Sequence, residues 1–306
     1  MKVIHDAREL PPGSRKVCLA LGFFDGVHLG HQQIVRQTVH DSRLHDGVAL
    51  VITFDQHPNT VVAPERVPPL IYSLPQKLKA IAELGADSLL LIHFDKQFSR
   101  QTGEEFVRGL ARELKTVQSI CVGAEFVFGY KRGGDVNLLK RLGAELNFTV
   151  HGLSAVSLDG KVVSSTRIRE TIQAGDLDAA SQMLGRAYSL AGKVIRGDGL
   201  GKQLGFPTAN IDFNGLVVPP KGVYAVHAEN AGGRWRAVLN IGLRPTLQNP
   251  NPKLQVEAHL MDFHGDLYEQ ELEITFLNKL REEKKFGSLK ELREQISKDI
   301  EAALLF

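Results

Sequence analysis

The strongest constraint on how this chain can fold is a change of periodicity near residue 185. Before it, four short apolar runs (Val17–Leu21, Val48–Phe54, Ser88–Phe94 and Ser119–Val122) read as buried strands, too short and too β-branched for helices. Between and after them, Gln32–Leu44, Pro75–Leu84, Gly103–Leu114 and Asn137–Asn147 repeat their apolar residues at helical spacing. That alternation predicts an α/β unit, a parallel sheet covered by helices on both faces, with its ligand in the crevice beyond the carboxyl ends of the strands. Two short helices are expected at Ser164–Ile172 and Asp176–Leu184, and after Arg186 the pattern turns to strands. Tyr188–Ile195, Gly222–Ala228, Arg234–Ile241, Leu254–Met261 and Leu272–Phe276, separated by turn clusters such as Gly197–Asp198–Gly199 and Asn249–Pro250–Asn251–Pro252, predict a small antiparallel β-barrel. A last helix is expected from Ser288 to about Ala303, where Ser288 and Glu291 form a capping-box pattern. The 306 residues then divide into domains 1–185 and 186–306.

Composition narrows the function classes. A formal net charge of +2 is too small to suggest nucleic acid or an anionic membrane as partner, so phosphate binding has to come from local sites. No apolar run approaches the roughly 20 residues that span a bilayer. Cys18 and Cys121 lie far apart inside strand-like runs, which suggests reduced, buried thiols. Met1–Arg15, with its Pro-Pro pair, has no signal-peptide pattern. A cytoplasmic protein is expected; nothing in the sequence identifies a protein partner.

The first dense motif, Gly22–Phe23–Phe24–Asp25–Gly26–Val27–His28–Leu29–Gly30–His31, follows the first of those runs directly. Glycines let backbone approach a phosphate closely, and a following helix offers N–H groups and the positive end of its dipole. Two histidines three apart could face the same phosphates and stabilise charge that grows during attack at phosphorus. The spacing equally fits a tight turn with two surface histidines. Zinc is less well supported, since no nearby Cys or His completes a ligand set.

This stretch resembles the His-x-Gly-His signature of the nucleotidyltransferase superfamily, in the form typical of bacterial FAD synthetase domains. Thr53–Phe54–Asp55–Gln56–His57–Pro58, Gly123–Ala124–Glu125–Phe126–Val127–Phe128–Gly129 and Ser164–Ser165–Thr166–Arg167–Ile168–Arg169 follow in the family's order. Class I aminoacyl-tRNA synthetases share the histidine element but pair it with a Lys-rich KMSKS loop, which this sequence lacks. The resemblance implies adenylyl transfer from ATP to FMN, giving FAD and pyrophosphate. His28 and His31 would then act on the ATP phosphates and Arg169 on the departing pyrophosphate. Gly22, Phe24, Asp25 and Gly30 would lie near the nucleotide, with Ser164, Ser165 and Thr166 holding the β,γ-phosphates. The family often has Pro at the position of Gln56 and Asp at that of Glu125.

The second dense motif runs from Gly192 to Asn210 and carries Gly197, Gly199, Gly201, Lys202, Gly205, Phe206, Pro207 and Thr208. It could form a glycine-rich flap over phosphates, with Thr208 and Asn210 as hard oxygen ligands for Mg²⁺; a turn-rich hairpin loop would carry the same glycines. Gly205–Phe206–Pro207–Thr208–Ala209–Asn210 resembles the riboflavin kinase signature. That family's landmarks follow at Lys221–Ala225, Asn240–Thr246, Gln255–Leu260, Gly265–Tyr268 and Leu280–Phe286. The resemblance implies a six-stranded barrel with a terminal helix, and phosphorylation of riboflavin to FMN by ATP with release of ADP. Glu257 would be the general base; on strand alternation alone it would be an outward residue in a salt bridge. Gly197, Gly199, Lys202, Gly205 and Pro207 would contact nucleotide, and Arg281 and Phe286 would line the flavin side. Lys202 stands where the family usually has Arg, keeping the charge but losing the bidentate fork. The two motif sets cover nearly the whole chain in the order of the bifunctional bacterial enzyme.

Overall fold

Val17–Leu21 is apolar at every position, and such a strand is stable only with both faces covered. The computed structural model describes residues 1–10, 16–197, 199–244 and 253–306. In it this run is the centre of a six-stranded sheet and is buried throughout. The Pro11–Pro12 pair, Asp198, the end of the Asn240–Thr246 landmark and the 249–252 turn lie outside the described residues.

The strands of the sheet are β1 (Lys2–Ile4), β2 (Val17–Leu21), β3 (Val48–Phe54), β4 (Ser88–Ile92), β5 (Val117–Gly123) and β6 (Thr149–Leu153). Their order is β1-β4-β3-β2-β5-β6 and every pairing is parallel. The chain steps outward from β2 through β3 to β4, then returns to the other side of β2 as β5. That reversal opens a crevice at the carboxyl ends of the central strands. The helices are α1 (Leu29–Leu44), α2 (Asn59–Val62), α3 (Leu74–Glu83), α4 (Gly103–Leu114) and α5 (Val136–Leu146). A buried carboxylate fixes α1: Asp41 accepts from Gln37 at 2.7 Å and from Ser119 of β5 at 2.8 Å, with His151 of β6 at 3.2 Å. A small hairpin, β7 (Ser157–Leu158) and β8 (Lys161–Val162), follows.

Next come α6 (Ser165–Ala174) and α7 (Leu177–Leu184), then β9 (Ser189–Ile195), α8 (Leu200–Gln203), β10 (Ala209–Asp212), β11 (Gly222–Asn230), β12 (Gly233–Arg244), β13 (Lys253–Leu260), β14 (Glu271–Arg281) and α9 (Leu289–Ala303). The six strands close into an antiparallel barrel in the order β10-β13-β12-β11-β14-β9. Its centre is aromatic: the Phe276 ring stacks on Tyr188 at 5.7 Å and meets Tyr224 edge-on at 5.4 Å. Both phenols are buried and satisfied, donating to the carbonyls of Val217 and Pro220.

By its contacts the chain forms two compact units, residues 1–68 with 74–165 and residues 69–73 with 166–306. The short 69–73 segment is therefore built into the barrel unit. Leu70 donates to the Gly215 carbonyl and accepts from Val217 N, both at 2.8 Å, and the Tyr72 hydroxyl accepts from Arg186 at 2.9 Å.

Helix α9 packs Ile300 and Ala303 against Val223, Ala225, Val238 and Leu280. It is pinned by a bidentate pair, Arg281 Nε and Nη2 donating to Asp299 at 2.9 and 2.7 Å, with Asp299 buried. Asp299→Ala should therefore destabilise the barrel unit by about 3 kcal/mol, because it strands a half-buried guanidinium. Arg281→Met combined with Asp299→Leu should cost much less, and urea melts of the two variants would compare them.

Candidate functional site

Past Leu21, the last bond of the β2–β3 ladder runs from Gly22 N to the Ile52 carbonyl at 3.2 Å. The chain then enters a strained turn. Phe24, Gly26 and Val27 all have positive φ (56°, 74° and 42°), a conformation that costs a β-branched residue most. The turn is nevertheless buried: Phe24, Asp25 and Val27 are almost wholly out of solvent, and Gln32 Nε2 donates back to the Val27 carbonyl at 3.0 Å. This packing holds the strained turn, and α1 starts directly after it.

His28 is the N-cap of α1, its Nδ1 accepting from His31 N at 3.4 Å. With Nδ1 used as acceptor, the proton of a neutral His28 ring belongs on Nε2. The two imidazoles stack at 3.6 Å and 20°, and a Cβ at Gly30 would lie only 3.3 Å from the His28 ring. Burial, then His28 and Lys77, hold His31 well below the usual imidazole range, so it is neutral near pH 7. Its Nδ1 is the one buried side-chain polar atom among the described residues with no hydrogen-bond partner. Such an atom beside a helix N-terminus calls for a ligand. Ser165 closes the site from the other side, its hydroxyl donating to the Asp25 carbonyl at 3.1 Å.

Beside this turn lies a cavity of about 740 Å³ walled by aromatic rings. Phe54, Phe94 and Phe98 form a chain of contacts at 5.2 and 5.5 Å, and Phe126 and Phe128 stack at 5.3 Å. The loops after β3 and β4 are tied together: Gln56 donates to the Phe94 carbonyl at 2.8 Å, and His93 Nδ1 lies 2.6 Å from Asp55. That hydrogen bond raises the His93 pKa above its ordinary value. Glu125 is exposed near the start of the loop that follows β5.

In the barrel unit, alternation along β13 buries Val256, Ala258 and Leu260 and turns Gln255, Glu257 and His259 to the other face. Glu257 is in register with Asn210 of β10 on one side and Asn240 of β12 on the other. Gln255 Nε2 bridges the row, donating to Asn210 Oδ1 at 2.7 Å and Glu257 Oε1 at 2.9 Å. The glycine-rich flap passes close over it. A Cβ at Gly197 would fall 2.1 Å from Asn210 Nδ2, and one at Gly201 would fall 2.9 Å from Thr208 Oγ1. Gly199 and Gly205 turn the flap with φ of 72° and 91° on either side of α8. Pro207 fixes its exit, its carbonyl 2.8 Å from His259 Nδ1.

The structure thus gathers Gly22, Phe24, Asp25, His28, Gly30, His31 and Ser165 around one turn, with Ser164 adjacent in sequence. It sets Gly197, Thr208, Asn210 and Glu257 around one patch of barrel wall. Thr166 and Arg169 belong to the barrel unit, where Arg169 Nε donates to the Pro69 carbonyl at 2.7 Å. Lys202 is exposed on α8. Arg281, expected at the flavin side, directs its guanidinium to Asp299 and holds α9. Sequence reasoning missed Gln255 as the bridge and missed Lys77. Lys77 sits in an amphipathic helix, where a lysine normally reads as solvent-facing, yet it is only 4% exposed.

A parallel sheet with a histidine-bearing turn at its carboxyl edge, followed by a closed barrel with a carboxylate on its wall, defines a two-part nucleotide-using transferase. Residues 11–167 match the FAD synthetase family and residues 184–306 the riboflavin kinase family. The bifunctional riboflavin kinase/FMN adenylyltransferase of Pseudomonas fluorescens is 38% identical over 99% of this chain and 97% of its own length. Its counterpart from Escherichia coli (strain K12) is 35% identical over 98% and 96%. A solved structure named as a macrolide-efflux protein from Streptococcus pneumoniae covers all of both chains at a TM-score of 0.84 and 25% identity. Among the described residues no helix is long and apolar enough to cross a membrane. The chain belongs to the bifunctional riboflavin kinase/FMN adenylyltransferase family.

Proposed function

We infer that the chain makes FAD from riboflavin in two ATP-dependent steps, phosphorylation by the barrel unit and adenylylation by the sheet unit. The observation that carries this reading is that each compact unit holds its own set of chemical groups, the histidine turn in one and the Asn210–Gln255–Glu257 row in the other. We place the functional boundary at 185/186; the family matches leave most of α6 and of α7 between them.

In the first step the ribityl 5′-hydroxyl of riboflavin attacks the γ-phosphorus of ATP. Glu257 takes the hydroxyl proton, the bond to the β-phosphate oxygen breaks, and FMN and ADP result. Gln255 holds the carboxylate in place, and the flap residues Gly197, Gly199, Lys202 and Gly205 cover the phosphates. Thr208 and Asn210 supply neutral oxygens in a cradle that a Cβ at residue 197 or 201 would fill, a donor set that fits Mg²⁺ with waters and phosphates completing its shell. When bound, that ion neutralises charge developing on the phosphate oxygens.

In the second step a phosphate oxygen of FMN attacks the α-phosphorus of ATP in line, and pyrophosphate leaves. The unpartnered, neutral His31 ring and the α1 N-terminus offer donors to the growing charge, with His28 stacked against His31 to hold its plane. Gly22 and Gly30 let backbone and ring approach the phosphates. Ser164 and Ser165, the last residues of the sheet unit, are assigned to the β- and γ-phosphates. The aromatic cavity suits the flat flavin ring. A cytoplasmic site of action belongs to this reading, supported by two free, buried thiols, of which Cys121 is pushed by burial up to about 12 and so kept unreactive.

The test is a chromatographic time course with riboflavin, ATP and Mg²⁺. FMN should rise first and FAD should follow from it. FMN accumulating without FAD would remove the second activity. Unchanged riboflavin, with FAD formed only when FMN is supplied, would remove the first.

A further inference from the structure

Lys77 of α3 is buried under the site, and its ammonium has three acceptors within reach for its three N–H bonds. These are the Phe54 carbonyl at 2.8 Å, the Phe23 carbonyl at 3.2 Å and Thr53 Oγ1 at 3.3 Å. Thr53 closes the triangle by donating to the same Phe23 carbonyl at 2.9 Å. The ammonium also lies 4.4 Å from the Phe23 ring centroid, and that ring meets His57 edge-on at 4.8 Å. No donor remains for a phosphate, so Lys77 is not itself a phosphate ligand.

The position of this triangle gives its purpose. The β2–β3 ladder ends at the Gly22–Ile52 bond, and strands continuing beyond a twisted sheet diverge. Phe23 begins the phosphate turn and lines the cavity, and Phe54 begins the cavity's aromatic wall. Beyond the last ladder bond, the Lys77 and Thr53 side chains bridge the phosphate turn to the cavity wall.

We propose that Lys77 is a positioning residue for adenylyl transfer, a latch that holds the phosphate turn at Phe23 to the flavin wall at Phe54 through three hydrogen bonds from one buried ammonium. The proposal rests on the adenylyl-transfer reading of this unit. It also makes the latch sensitive to alkali. Burial brings the Lys77 pKa down to about 8, against the pull of Asp25 in the turn and Asp55 after β3. His31 on α1 senses the same charge. Below about pH 8 the ammonium carries all three N–H bonds; above it one is lost together with the charge.

The test uses the full chain and measures FMN adenylylation and riboflavin phosphorylation side by side, with melting temperatures. Lys77→Met should lower kcat for FAD formation about 10- to 100-fold, the usual scale for lost charged hydrogen bonds and a displaced reacting group, while riboflavin phosphorylation holds. Wild-type FAD formation should fall as pH rises through about 8. Lys77→Gln, which keeps N–H donors but cannot titrate, should lack that fall and run at a constant reduced rate. If Lys77→Met does not fold, Thr53→Val removes the hydroxyl corner at constant shape and should slow the same activity alone. Wild-type rates in Lys77→Met or Thr53→Val, or an unchanged alkaline fall in Lys77→Gln, would overturn the latch. A wild-type chain that forms no FAD from FMN would instead overturn the adenylyl-transfer reading, and the latch's role with it.

Discussion

Glu257→Ala is expected to leave the chain unable to phosphorylate riboflavin at a measurable rate while FAD still forms from supplied FMN. General bases contribute roughly 10²- to 10⁴-fold, and loss of the carboxylate also removes an acceptor that Gln255 uses, freeing that amide to reorient away from Asn210. On the roles proposed for them, Glu257 and Asn210 should therefore fail together. Glu257→Gln separates the two effects, since it keeps a polar group of the same shape but cannot take the proton. Equal loss of both activities in either variant would refute separate sites.

His31→Ala should have the opposite outcome: FMN accumulates, and FAD formation falls by about 10²- to 10³-fold, the usual scale for removing one donor aimed at developing charge. The ring is neutral and its Nδ1 lacks a partner, and it also packs against His28 and Phe24, so melting temperature is followed alongside activity. Its loss would also leave His28 without the imidazole it stacks on, which predicts a partial loss of phosphate affinity in addition to the rate effect. A melting temperature close to wild type with unchanged FAD synthesis would refute the role.

The two architectures were legible because their apolar patterns differ so sharply. Val17–Leu21, Val48–Phe54 and Gly103–Leu114 have the same bounds in sequence and structure, the two strands because both faces are covered and the helix because Thr102 and Glu105 cap its start and each of its turns buries a residue. β1 and β6 were not read. The first has three residues, two of them exposed, and the second is an edge strand, buried at no position. β10 was hidden for another reason: Ala209–Asp212 lies within a motif that the eye reads as a binding loop, although it is the strand that closes the barrel. The Ser288–Glu291 capping box is only half formed. Ser288 accepts from Glu291 N, but the Glu291 carboxylate turns to Gly287 N. In the two motifs, glycines and histidines were singled out because their pattern is local in the sequence. Lys77 and Gln255 were not, because their significance comes from residues brought together across the fold, and α3 and β13 give no sign of that in their own spacing.

The 69–73 segment bears on how such a chain can come off the ribosome. Its backbone partners, Gly215 and Val217, are made well over a hundred residues later. The sheet unit therefore emerges with a stretch of chain looped out of it, whose hydrogen bonds wait for the barrel to be synthesised. Neither unit can be cut from the gene as one continuous piece: a fragment ending before the barrel keeps Leu70 with nothing to pair it, and a fragment starting at the barrel lacks Tyr72 beside Arg186. Fusion and duplication of the two activities would have to carry this stretch along.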